Sequence, residues 1–100
     1  MDAVTEKLLK TVSDVSGETV EDILSRRRRR PLPVCRWLVA SELVRRGYSI
    51  NYASGMVNIT HATLLHGRVM LDIMKQHPQH TFAEEVHIEK AFRSALAGSE

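Results

Sequence analysis

Apolar residues in this chain recur at helical spacing in one segment after another, and nowhere do they alternate as a strand requires. That pattern confines the fold to packed helices, and glycines and prolines place the joints. "DAVTEKLLKTVSDVSG" carries Val4, Leu8, Val12 and Val15 in one stripe, with Gly17 as its stop. "ETVEDILS" reads as a short helix capped by Thr19, whose hydroxyl takes an orphan amide of the first turn. "PLPVCRWLVASELVRRG" opens on prolines and stops at Gly47; proline suits a first turn because its missing N–H would be unpaired there. Val34, Leu38 and Ser41 share a face broadened by Trp37, Ala40 and Val44, so this helix is expected at the centre of the core.

Ser49 caps a short helix weakened by Gly55. "NITHATLLHGRVMLDIMKQH" is a long helix with Thr60 as the preferred cap, Asn58 as the alternative and Pro78 as the stop. Leu65, Val69 and Ile73, with Ala62 above them, are expected to face the core. Thr81 and Glu84 form a capping box for a C-terminal helix at about 81–97, whose apolar side is Phe82, Val86, Ala91, Phe92 and Leu96. The expectation is one all-α domain over residues 1–100, of five or six helices, with no internal repeat and no flexible linker.

A hydrophobic fraction of 43% against 26% charged residues suits a soluble globular chain. The net charge is only +2, but its distribution is uneven. Acids gather in residues 2–22 and 84–100, while residues 26–30 are "RRRRR", followed by Arg36, Arg45 and Arg46. Consecutive arginines repel one another unless a polyanion neutralises them, so this basic loop points to nucleic acid. Cys35 is the sole cysteine, which excludes an intrachain disulfide and a cysteine zinc site and fits a reducing compartment. No signal peptide or membrane span is visible, so a cytoplasmic, nucleoid-associated protein with no membrane partner is expected.

The informative unit is Ser49 to about residue 77: a short helix, a tight turn around "MVNIT", and a longer helix with a polar first turn. That is a helix-turn-helix pattern, in which the second helix enters the DNA major groove and reads base edges with its N-terminal residues. Thr60, His61 and Thr63 are donors and acceptors suited to base edges, and the threonine methyls suit thymine. His66 is one turn further on, and Arg68 and Lys75 are placed to reach phosphates.

"TVEDILSRRRRR" followed by "LVASELVRRGYSINYASGMVNITHATLLHG" resembles the C-terminal DNA-binding domain of the bacterial replication initiator DnaA. In that family a segment like V-x-D-L-L-S-K-R-R precedes a helix ending in A-x-E-L. A helix-turn-helix follows, opening S-L-x-x-I-G and closing R-D-H-[ST]-T-V-x-H-A. The matching residues are Val20, Asp22, Ile23, Leu24, Ser25, Arg26 and Arg27, then Ala40, Glu42, Leu43, Ser49 and Ile50, then His61, Thr63, Leu64 and His66. The resemblance covers about residues 4–75 and implies a Trp-repressor-like all-helical fold. It implies base reading by Thr60, His61, Ala62 and Thr63, and a minor-groove arginine within Arg26 to Arg30, most simply Arg28. Ile59-Thr60 stands where the family has Arg-Asp, and Pro33-Val34 near its Arg-Gln pair, with Arg36 as a substitute phosphate contact. The motor domain and its P-loop are absent from this chain, so no nucleotide is expected.

The expected DNA-contacting set is therefore Arg26, Arg27, Arg28, Arg29, Arg30, Arg36, Ser49, Thr60, His61, Ala62, Thr63, His66 and Arg68. The expected function is sequence-specific binding of double-stranded DNA in replication initiation control or transcription regulation. His66 serves equally for DNA contact or for packing against the basic loop. The alternative is a protein-interaction or scaffold module that kept the fold and lost specific reading. The 81–97 helix closes the core or pairs with a copy of itself, and a replication or regulatory protein is the other partner class. His61, His66, His77, His80 and His87 lack the cysteines or acids that complete a tetrahedral set, so no metal and no cofactor is expected. Cys35 lies in an apolar helix, where a thiol is inert, and no paired carboxylates are visible, so no enzyme is expected.

Overall fold

The computed structural model describes residues 1–77 and 81–99, apart from the side chain of Ser99. Six helices follow in order: α1 (Ala3–Ser16), α2 (Val20–Leu24), α3 (Leu32–Arg45), α4 (Ile50–Met56), α5 (His61–Gln76) and α6 (Ala83–Ser99). No strand occurs among the described residues. Side-chain oxygens close four of the first turns. Asp2 accepts from the Thr5 amide at 2.7 Å, and Thr19 accepts from the Asp22 amide at 3.1 Å. Ser49 accepts from the Tyr52 amide at 3.1 Å, and Thr60 accepts from the Thr63 amide at 3.0 Å. Each satisfies a donor that the helix itself leaves orphaned. Thr60, rather than Asn58, is thus the cap of α5. Gly17 ends α1 in the left-handed region at φ 78°, where a side chain would be strained.

α6 begins one residue later than a Thr81–Glu84 capping box requires. Its first bond runs from the Val86 amide to the Phe82 carbonyl at 2.9 Å. Pro78, expected as a helix stop, and His80, one of the five histidines not expected to form a metal set, lie outside the described residues.

α3 is the hub, packing against α1, α2, α4, α5 and α6. It is buried on nearly every side: Leu32, Val34, Cys35, Leu38, Val39, Ala40 and Leu43 are all inaccessible or nearly so. A helix apolar all round is a core helix, as its sequence indicates. Ser41, expected on that face, is half-buried, and its Oγ has no hydrogen-bond partner among the described residues. Around α3 close Leu8, Leu9 and Val12 of α1, Ile23 of α2, Ala53 of α4, Leu64 of α5, and Ile88 and Phe92 of α6. Burial pushes the Cys35 thiol up to about 11, against a weaker lowering by Ser16, so the free cysteine is an inert core residue.

The register of α5 differs from expectation. Leu64, Gly67, Leu71 and Met74 face the core, while Leu65, Val69 and Ile73 are 45%, 58% and 38% exposed. Two stripes at helical spacing run along this helix, and periodicity alone cannot choose between them. Gly67 decides it. A Cβ at Gly67 would lie 2.3 Å from Cγ of Trp37, so α5 approaches α3 across the bare glycine backbone. With residue 67 inward, residues 64, 71 and 74 follow it and 65, 69 and 73 turn outward.

Among the described residues three carboxylates are buried and each is paired. Glu42 meets Arg45 at 2.6 Å, Arg46 at 2.7 Å and Arg93 at 3.8 Å. Glu89 meets Lys75 and Arg93, each at 3.2 Å, and Glu85 meets Arg30 at 2.5 Å. Hydrogen bonding to Arg45, then to Arg46, holds Glu42 below the usual carboxylate range against the cost of burial. These pairs tie α3, α5 and α6 together and account for Arg45, Arg46 and Lys75, which the sequence presents as free positive charge.

Candidate nucleic-acid interface

The basic segment is short because its ends are fixed. The last carbonyls of α2 have no partners inside the helix, and Arg36, reaching back from α3, bonds two of them and the carbonyl of the C-cap Ser25. Its Nε donates to Ile23 O at 2.6 Å, and its Nη2 donates to Asp22 O at 3.2 Å and Ser25 O at 3.0 Å. Arg36 is 5% exposed and burial pulls its pKa down; Cys35 opposes this, and the like charge of Arg28 adds to it. Its expected phosphate contact is therefore corrected: the guanidinium is a clamp that sets where the loop leaves α2. Asn58, in the turn between α4 and α5, donates to the remaining Leu24 carbonyl at 2.8 Å. Asn58 sits at φ 61°, a left-handed conformation that asparagine tolerates better than most residues. The turn before α5 is thereby fastened to the start of the arginine loop.

The five arginines are all exposed but are not equivalent. Arg29 is held by Glu18 at 2.6 Å and Asp22 at 3.2 Å, and the Glu18 hydrogen bond raises its pKa further. Arg30 pairs with Glu85, donates to the Thr81 carbonyl and lies 5.7 Å above the Phe82 ring, which binds the loop to α6. Arg27 stands 3.5 Å from Asp22. Among the described residues, Arg26 and Arg28 form no ion pair.

Those two arginines line one wall of a cleft of about 620 Å³. The same cleft is lined by Asn58, Ile59, Thr60, Thr63 and His66 of the turn and α5, with Pro33, Arg36 and Trp37 of α3 at its floor. His66 meets Trp37 edge to face, with ring centroids 6.0 Å apart and an interplanar angle of 87°. The histidine thus packs on α3, rather than on the basic loop, and borders the cleft. The Thr60 hydroxyl donates to the Thr63 hydroxyl at 2.8 Å while accepting from the Thr63 amide, which leaves the Thr63 proton free to donate outward.

His61 and Ala62 are exposed on the first turn of α5 but outside the cleft lining. Ser49 is exposed, with its hydroxyl engaged at the α4 cap. Arg68 lies elsewhere: it borders a second cleft with Glu42, Asp72, Lys75 and Arg93. So the fold brings Arg26, Arg28, Thr60, Thr63 and His66 together, and separates Arg29, Arg30, Ser49 and Arg68 from them. Asn58, Gly67 and Trp37, which shape the cleft, carry no contact role in the sequence reading. Asparagine at a tight turn and glycine inside a long helix were the signals available.

Among the described residues no group of three His, Cys, Asp or Glu is placed to hold a metal ion, and no helix is long and apolar enough to cross a membrane. No family model, no curated protein and no solved structure matches the chain.

Proposed function

We propose that the chain binds double-stranded DNA sequence-specifically, with the first turn of α5 entering the major groove and the arginine loop on the flanking backbone and minor groove. The observation that carries this is the cleft in which Arg26 and Arg28, with no ion pair among the described residues, face Thr60, Thr63 and His66. A cationic wall positions a phosphate backbone, and hydroxyl and imidazole groups beside it read base edges. The polar end of α5 also presents its positive dipole terminus to the same space. The resemblance of the sequence to the DnaA C-terminal domain supports the same arrangement and a role in replication initiation control or transcription regulation, in the cytoplasm on the nucleoid.

Five arginines of the basic positions are now committed elsewhere: Arg29, Arg30, Arg36, Arg45 and Arg46. With about two to four phosphates neutralised, the plot of log affinity against log salt has a slope of about −2 to −4. Fluorescence anisotropy of a labelled duplex across a salt series measures it, and a flat response refutes the reading. The second reading, a protein-interaction module that lost specific reading, is favoured by one observation. Thr60 and Thr63 bond to each other rather than both pointing outward. It predicts salt-dependent binding with no difference between duplex sequences.

A further inference from the structure

The exposed face of α5 carries a feature that the DNA reading leaves unused. Leu65, Val69 and Ile73 form a continuous apolar ridge at four-residue spacing, directed away from the core. Along one flank of the ridge stand Arg68 and Asp72, four residues apart. Both are exposed, and among the described residues they form no ion pair with each other or with a third group. An apolar ridge flanked by an exposed cation and an exposed anion offers a partner both an apolar seam and complementary charge.

We propose that this ridge is a self-association surface, packing against the α5 ridge of a second copy about a two-fold axis near residues 69 and 70. Ridges of residues four apart interdigitate between two helices in the commonest class of helix packing. A two-fold axis perpendicular to the helices makes them antiparallel and maps each flank onto itself with its direction reversed. Residue 65 then approaches residue 73 of the second copy, and Val69 meets Val69 of the second copy. On the flank, residues 68 and 72 lie on either side of the axis, so Arg68 comes opposite Asp72 of the second copy and Asp72 opposite its Arg68. Two ion pairs and one apolar seam form from groups that are unpaired in the single chain. A different protein would have to supply the complementary charge order; a second copy carries it already. The surface centres about 12 Å along the helix from His61 but shares its side of α5 with Ala62, so a second copy and a duplex compete for this helix. The apolar area is small, which makes the contact weak and concentration-dependent.

Sedimentation velocity of the full chain across a concentration series, without DNA, tests this. The chain shifts from monomer to dimer as concentration rises, and Val69→Lys abolishes the shift while the helical circular-dichroism signal is unchanged. Arg68→Asp and Asp72→Arg each weaken association by about tenfold or more, because like charges then face each other. The double variant, Arg68→Asp with Asp72→Arg, restores it, since the order of charges is merely inverted. A chain that stays monomeric at every attainable concentration overturns the proposal. So does an association that survives Val69→Lys, or a double variant no better than either single one. All of these outcomes are read without DNA, so a failure of duplex binding is read separately by anisotropy.

Discussion

Gly67→Ala isolates the contact that sets the α5 register. Alanine is the better helix former by about 1 kcal/mol in a free helix. Here its Cβ would fall 2.3 Å from Cγ and 2.4 Å from Cδ1 of Trp37. Those atoms are the root of the indole, not a flexible tip, and Trp37 is only 8% exposed, so the ring cannot swing clear without moving the helices apart. A clash against immobile atoms lies at the upper end of the overpacking range, about 2–3 kcal/mol. Set against the propensity gain, the variant should lose about 1–2 kcal/mol, a fall in Tm of roughly 4–16 °C for a domain of this size. Trp37 is the sole tryptophan, so its emission reports the displacement directly, and a thermal melt reports the stability. Shortening the indole in a Gly67→Ala, Trp37→Leu double variant should remove most of the Gly67→Ala penalty, as coupled neighbours do. A Tm equal to or above that of the parent, with unchanged emission, would show that α5 does not approach α3 across Gly67.

Three further outcomes follow from particular groups. Leu64→Ala, at a fully buried site, should cost about 2–5 kcal/mol, whereas Leu65→Ala at a half-exposed one should stay within about 0.5 kcal/mol; chemical denaturation distinguishes them, and the reverse order would restore the register expected from the sequence. Arg26→Ala with Arg28→Ala should lower duplex affinity and reduce the salt slope by about 2, while Arg29→Ala, already tied to Glu18 and Asp22, should alter the slope least; equal effects on anisotropy would argue against a division of labour in the loop. Asp2 is held down to about 2 by the Tyr52 hydroxyl first and the Thr5 amide second. A carboxyl depressed on folding stabilises above its unfolded pKa and loses that contribution as pH falls through the folded one, so melts between pH 4 and pH 2 should decline more steeply for the parent than for Asp2→Asn.

The helices and their caps were legible because they depend on neighbours in sequence. Thr19, Ser49 and Thr60 cap through amides three residues away, and Gly17 ends α1 by its own backbone freedom. The central position of α3 was legible from apolar residues on all its faces. The inward face of α5 was not, since Leu64–Leu71 and Leu65–Val69–Ile73 are both helical stripes and the choice rests on Trp37, thirty residues away in the chain. The roles of the arginines were hidden for the same reason. Nothing local distinguishes Arg28 from Arg30, and the difference is Glu85, brought up by α6. Arg36 reads as a surface cation until the open end of α2 is seen above it.

The central claim is that the cleft between the arginine loop and the first turn of α5 reads duplex sequence. Selection of bound duplexes from a fully randomised pool, carried out in parallel with the parent chain and Thr63→Ala, tests it most directly. The account predicts an enriched motif for the parent and a relaxed motif for Thr63→Ala, with retained affinity for random duplex. No enrichment by the parent, in a chain that still binds duplex in a salt-dependent way, would contradict it.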